Sequence, residues 1–372
     1  MKENIAKPAR IVWLPASPKE GWASMDRYWR ELESLEARES VPQAQVTAAL
    51  PYAAPIVSKS APRLLKAIDK NLLYPLRVRR VRADVVHILD HSYAHLLQHV
   101  APGIKTMVTV FDLVPLLDRT GLNDRQVERF RRTVQCIAKA DMAVSVSKQT
   151  AGDLERYAGV AADQIEVVYP GTDLATFTTA QAPCKSEQLL PKGAKTVLSV
   201  GSTVGRKNLA SLPHMLAPIS ALFQSGECCL VRVGQRLDAG LASELLQLLG
   251  PKGFVELGPV FGSDLARLYQ LAHVFLMPST LEGFSFTMME AMAAGAPVLT
   301  NRLSTNPEVG KDAVPYYEEG DYQTASRLLH QLLTDEEVRK DWSQRARARA
   351  AELSWSAHWL GIRNLYQKLL QP

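Results

Sequence analysis

The chain has 372 residues, 47% of them apolar and 22% charged, with a formal net charge of +5. That length holds two domains with their own cores, and without low-complexity tracts or an apolar run of about 20 residues it fits neither the disordered nor the membrane-spanning classes. Cys136, Cys184, Cys228 and Cys229 follow neither metal-ligand nor disulfide-framework spacing and read as reduced, structural thiols.

In chain order, a first strand at Ile11–Leu14 leads through Gly21 to a helical run at Met25–Leu35. Between Arg63 and Arg82, Lys66, Lys70, Arg77, Arg79 and Arg80 stand against a single acid, Asp69, and Leu65, Ile68 and Leu72 keep helical spacing. Such a segment suits either a solvated helix face or an anionic membrane surface. Apolar runs at Val85–Leu89, Met107–Val110, Ala143–Val146 and Ile165–Tyr169 follow, with a helical pattern at Gln126–Ala138. The stretch from Leu174 to Ala194 is polar, holds two prolines and lacks periodicity, so it reads as a linker. A second series of strands is expected at Thr196–Val200, Leu230–Val233, Phe254–Leu257, Val274–Met277 and Val298–Thr300. Helical spacing lies between them at Leu209–Leu222, Leu265–Leu271 and Phe286–Ala294. Thr334 with Glu337 reads as a capping box, and a last helix is expected from Trp355 to Leu370. Most strands are apolar throughout, as when both faces of a sheet are covered, so the chain reads as doubly wound α/β domains with parallel sheets.

Two stretches of the second half carry chemistry. In Val197-Leu-Ser-Val-Gly201-Ser-Thr-Val-Gly-Arg206-Lys207-Asn208, a strand runs into a glycine-bearing loop with two adjacent cations. Cations at the carboxyl end of such a strand can neutralise a diphosphate, and glycine lets the backbone approach it closely. In Pro278-Ser-Thr-Leu-Glu282-Gly283-Phe284-Ser285-Phe286-Thr287-Met-Met-Glu290, one acid precedes a helix and a second lies inside it. The amides at that helix start suit phosphate, and carboxylates accept hydrogen bonds from vicinal hydroxyls.

These stretches resemble the diphosphate loop and the paired-glutamate motif of the retaining glycosyltransferases of family 4. Phe254–Gly258, Asp264–Ser279, Asn306–Gly310 and Ser354–Trp355 follow the same family pattern; in the first half the likeness rests on Gly21, Val85–Asp90, Val108–Pro115 and Pro170–Asp173. The resemblance implies a GT-B fold, two Rossmann-like domains facing across a cleft. Residues 1–180 would form the acceptor domain, 181–355 the donor domain, and 356–372 a helix packing back on the first. It further implies that Glu290 holds ribose hydroxyls and that Glu282, with Gly283 and the amides near Phe284 and Ser285, holds the donor sugar. Arg206 and Lys207, above Gly201 and with amides at Phe286 and Thr287, would bind the diphosphate. Phe254 would lie near the base, and Gly21 near the acceptor and phosphates, with Trp22 on the acceptor side.

One departure from the family pattern stands in the first half, where Phe111 occupies the place of a histidine that relatives carry before the aspartate, here Asp112. His91, at the end of the preceding strand, is a candidate to approach the same cleft. The reading that follows is a metal-independent, retaining hexosyltransferase moving a hexose of mannose or glucose type from a nucleoside-diphosphate sugar of GDP or UDP type, GDP-mannose preferred, with no separate cofactor. Its acceptor would be a glycan or lipid-linked glycan. The expected location is cytoplasmic, with peripheral contact at an anionic inner membrane face if the basic segment binds lipid; nothing indicates nucleic acid. The alternatives are a nucleotide-sugar epimerase or hydrolase of the same fold, and an inactive sugar-nucleotide-binding subunit.

Overall fold

The computed structural model describes residues 8–17, 20, 23–42, 44–49, 63–179 and 181–371, so Gly21 and Trp22 lie outside the described residues. The chain divides into two compact units, Met1–Pro170 with Trp355–Pro372, and Gly171–Ser354.

The first unit is built on strands β1 (Ala9–Leu14), β2 (Ala44–Ala48), β3 (Val85–Ile88), β4 (Lys105–Val110), β5 (Met142–Ser145) and β6 (Ile165–Val167). They form one parallel sheet in the order β2-β1-β3-β4-β5-β6. The central strands β3 and β5 are buried along their whole length, so their sequences are mainly apolar, with His87 and Ser145 as their polar members. The strand β2, absent from the sequence reading, is an edge strand with partly exposed residues; burial on one side only leaves no apolar run to detect.

The helix Trp355–Leu370 belongs to this unit, and a buried chain of hydrogen bonds attaches it. Trp13 Nε1 donates to Tyr366 Oη at 2.7 Å, and Tyr366 Oη lies 2.7 Å from His87 Nδ1. His87 Nε2 meets Thr109 Oγ1 at 2.8 Å, and Thr109 Oγ1 lies 3.5 Å from Tyr28 Oη. Tyr28 Oη is 3.0 Å from His358 Nε2, while His358 Nδ1 is 2.9 Å from the carbonyl of Tyr169. An indole N–H only donates and a carbonyl only accepts, so the two ends fix every proton between them. His358 carries its proton on Nδ1, His87 on Nε2, and each hydroxyl donates toward Tyr169. Burial lowers the pKa of His87 to about 3 and of His358 to about 4, keeping both rings neutral.

The second unit contains β7 (Lys195–Gly201), β8 (Cys228–Gly234), β9 (Phe254–Gly258), β10 (Ala272–Met277), β11 (Val298–Asn301) and β12 (Tyr316–Tyr317). Its parallel sheet has the order β12-β11-β10-β7-β8-β9, the doubly wound order in which the winding reverses between β7 and β10. The loops leaving the carboxyl ends of those two neighbours are the ones that carry Arg206-Lys207 and Glu282.

The units part at Pro170, where the sequence reading set the division at residue 180. Thr172 explains the position: its amide donates to Leu353 O at 3.0 Å and it bridges Ser354, both in the second unit. The expected linker is likewise packed structure. Phe177 is buried against Tyr269, and Glu187 makes a two-point ion pair with Arg267 at 2.8 Å for each bond. The capping box expected at Thr334 is replaced by an Asp335 cap, which accepts from the amides of Glu337 and Val338 at the start of helix Glu336–Glu352. All four cysteines are free and buried.

Candidate functional site

Within the second unit, β7 ends at Gly201, whose φ of 142° favours glycine; its α-carbon face lies beneath the Lys207 side chain, and a Cβ there would sit 3.8 Å from Lys207 Cε. Across the register, Gly234 closes on Gly201 so tightly that a Cβ would stand 2.1 Å from its carbonyl oxygen. The next turn, the 3₁₀ segment Gly205–Lys207, ends at Asn208 in the left-handed region, so both cations project from one tight turn.

The neighbouring loop after β10 presents Glu282 to that turn. Arg206 Nη1 donates to Glu282 Oε2 at 2.8 Å and to Leu281 O at 2.9 Å, while Lys207 Nζ reaches Glu282 Oε1 at 2.5 Å. Burial pushes the Glu282 pKa up, but the fields of Lys207 and Arg206 and hydrogen bonds from Lys207 and Ser279 outweigh it, and the carboxyl stays below its ordinary value. The two cations expected on the diphosphate are thus both bound to the acid expected on the donor sugar. Such an arrangement stores two cations and an acid in position until a polyanion or a set of hydroxyls competes for them.

Residues outside the motif hold the loop. Ser304 Oγ accepts from the Glu282 amide at 3.0 Å and donates to its carbonyl at 2.9 Å. Asn301 Nδ2 donates to the carbonyls of Pro278 and Ser279 at 3.0 and 2.8 Å, and Asn306 Nδ2 to Thr300 Oγ1 and Asn301 Oδ1, both at 3.0 Å. Ser285 is buried, and its hydroxyl donates to Asn306 Oδ1 at 3.0 Å, so this side chain anchors the loop. The signal for this network was visible as Thr300-Asn301, two polar residues closing an apolar strand, and it went unread.

The helix Phe286–Ala294 starts without a side-chain cap at Ser285 and stops at Gly295 in the left-handed region. Nearly all of it is buried, Glu290 included, and Tyr269 Oη donates to Glu290 Oε2 at 3.1 Å. Phe284 is buried edge-to-face against the half-buried Phe286, and Gly283 and Thr287 are also half-buried. The Phe286 amide, expected to face phosphate, donates instead to Phe284 O at 2.9 Å and is committed to the turn. Phe254 is a second correction. It opens β9, opposite Leu230, whereas the loops of the site leave the other end of the sheet. At about 3.3 Å per residue the strand carries Phe254 roughly 13 Å from Gly258, and it packs on the apolar core instead.

His91 and Asp112 belong to the first unit. His91 is buried at the end of β3; its Nδ1 accepts from the Phe111 amide at 3.4 Å, lies 3.7 Å from Asp90 Oδ1, and its ring meets Phe130 edge-on. Phe111 is buried 4.9 Å from the Tyr28 ring, centroid to centroid. Asp112 is half-buried and accepts from the Val114 amide at 3.0 Å, a helix-start contact. His91 therefore stands beside the position where relatives carry histidine, and Asp112 serves the following turn.

Two parallel doubly wound units, the last helix returning to the first, define a two-domain α/β protein of the GT-B fold class, with a charged loop site at the switch point of the second sheet. The family described as "Glycosyl transferases group 1" matches residues 183–349, and that described as "Glycosyltransferase Family 4" matches residues 29–176. The chain belongs to the glycosyltransferases of family 4. It is 25% identical over 301 residues to the serotype-specific mannosyltransferase WbdA of Escherichia coli, covering 76% of this chain and 36% of that protein, about a third of the relative's length. It is 28% identical over 325 residues to a D-inositol 3-phosphate glycosyltransferase of Thermobifida fusca, covering 81% of this chain and 75% of the other. Among solved structures, a sucrose-phosphate synthase from Thermosynechococcus elongatus superposes with a TM-score of 0.76 at 19% identity, over 97% of this chain and 99% of that one.

Proposed function

We propose that this protein is a retaining hexosyltransferase that moves a mannosyl group from a nucleoside-diphosphate sugar to a hydroxyl of a glycan or glycolipid, without a metal ion. The observation that carries the reading is the Arg206–Glu282–Lys207 cluster at the β7/β10 switch point, one turn from an uncapped helix start. On binding, the diphosphate takes over the two cations, and Glu282 turns its oxygens to the hexose hydroxyls. Glu290, oriented by Tyr269, accepts from the ribose. The C1–O bond to the diphosphate then breaks and a bond from the acceptor oxygen forms on the same face. The acceptor proton passes to the departing phosphate oxygen. Arg206 and Lys207 stabilise the charge that develops there, and the rest of the catalysis is orientation. A mannosyl donor is favoured by the relative named for that transfer.

Incubation with labelled GDP-mannose, UDP-glucose and ADP-glucose, with and without a lipid-linked glycan fraction, tests this. Acceptor-dependent transfer of mannose is expected. Acceptor-independent conversion would make the protein an epimerase or hydrolase, and binding without turnover would make it a non-catalytic subunit.

The basic segment supports a second element of the reading, docking on an anionic membrane surface. No helix among the described residues is long and apolar enough to cross a membrane. Yet Leu65, Ile68, Leu72 and Leu76 are 40, 37, 55 and 44% exposed along the continuous helical run that ends at Val78. Arg79, Arg80 and Arg82 are exposed beside them, while the one acid, Asp69, is turned inward. An exposed aliphatic row flanked by cations matches an anionic interface. Pelleting with vesicles should require phosphatidylglycerol, weaken with salt and fail for Leu72→Asp; equal pelleting with neutral vesicles would remove this element.

A further inference from the structure

We infer that Arg232 is a buried positioning residue of the donor site, holding the carbonyls of the Gly201–Ser202 turn and adding a buried positive charge beneath the diphosphate; the inference rests on the donor reading above. Arg232 is the single charged residue of β8, in the run Cys228-Cys-Leu-Val-Arg-Val-Gly234, and is 1% exposed. In register it stands between Ser199 of β7 and Glu256 of β9, at a position where an apolar side chain would fill the layer without desolvating a charge.

Its guanidinium is spent on the site's own backbone. Nη1 donates to Ser199 O at 3.2 Å and to Val233 O, and Nη2 donates to Ser202 O at 3.1 Å and to Gly201 O. Nε has no hydrogen-bond partner among the described residues. The acid whose field reaches it is Glu256, whose Oε1 accepts from the Leu237 amide at 2.7 Å. Burial lowers the Arg232 pKa to about 10, which still leaves it protonated at neutral pH.

Two consequences follow. Carbonyls drawn inward by the fork cannot turn toward an approaching phosphate, so the turn that leads to Arg206 and Lys207 keeps one orientation. The charge balance also changes. Arg206 and Lys207, less Glu282, leave one positive charge, whereas a nucleoside-diphosphate sugar carries two negative ones; Arg232 adds a buried positive charge on that side, offset in part by Glu256 beside it. A buried cation acts on that ligand through a poorly screening interior, unlike a surface lysine.

Calorimetric titration of the full chain with GDP, UDP and the parent nucleosides tests the assignment. Arg232→Met should weaken the diphosphate that wild type prefers by about tenfold, the size expected of one charge acting through the interior, and leave the nucleoside unchanged. Glu256→Gln, which keeps an acceptor for Leu237 and removes a negative charge beside Arg232, should tighten the diphosphate and not the nucleoside. This variant carries the test if Arg232→Met does not fold. Diphosphate affinities within about twofold of wild type in folded Arg232→Met, or an unmoved affinity in Glu256→Gln, would overturn the role of Arg232 alone. Wild type that binds no nucleoside diphosphate would overturn the donor reading, and this inference with it.

Discussion

The two units place charged and polar side chains at their sheets in opposite ways. In the second, Arg206, Lys207 and Glu282 converge on loops at the carboxyl ends of β7 and β10, both cations ion-paired with the one acid. In the first, Trp13, His87, Thr109, Tyr28, His358 and Tyr366 form a sealed line through the sheet in which the donors run one way to Tyr169. On the proposed function, the same doubly wound layout uses polarity for exchange with a ligand in one unit and for closure in the other. Substitutions should therefore separate: loss of function with little loss of stability in the second unit, and the reverse in the first.

The largest effect is expected at Lys207. Lys207→Ala should lower sugar transfer by about 10²- to 10³-fold, the usual size for removing one group that stabilises developing charge. Glu282 keeps Arg206, so the unfolding midpoint should move little; a fall in midpoint that accounts for the lost activity would break the contrast. Next is Tyr366→Phe, which strands the Trp13 N–H and His87 Nδ1 in a buried space. At about 1–3 kcal/mol for each unsatisfied group, urea unfolding should show a loss of about 2–6 kcal/mol, while the folded fraction retains transfer activity.

Acid should separate the units without mutation. His87 and His358 are held neutral with folded pKa values below the ordinary 6.5, so their contribution is complete above that pH and is lost as pH falls toward 4 and below. Glu282 is also lowered, but from 4.5, so its contribution persists until pH falls below that value. Hydrogen exchange across a pH series should find protection in β3 and helix Trp355–Leu370 lost before protection around Glu282; the reverse order would contradict the fixed tautomers. The smallest effect is Ser285→Ala, which deletes one buried hydrogen bond to Asn306 and should cost about 1 kcal/mol in the same unfolding assay.

Much of this was legible in the residues. Buried parallel strands write themselves as apolar runs, and Phe286–Ala294 was bounded correctly because Ser285 and Gly295 punctuate it. Of the four edge strands, β2 and β12 were not found: β2 alternates partly buried with exposed residues, and β12 has two residues, too few to show a pattern. At the candidate site, the motif marked Arg206, Lys207 and Glu282 but not that they pair, because spacing along the chain says nothing of contact across 75 positions. Phe254 was misplaced for a related reason: a strand has two ends, and only the topology says which one faces the loops. Ser304 and Arg232 act through main-chain atoms and leave no motif.

The helix that completes the first unit has a consequence for how the chain is made. His358 and Tyr366 are translated only after Gly171–Ser354, so Tyr28, His87, Thr109 and Trp13 leave the ribosome long before the partners that satisfy them. Domains usually fold in the order they emerge. Here the second unit is complete in sequence before the first, whose sheet gains the helix that seals it only when Trp355–Leu370 emerges.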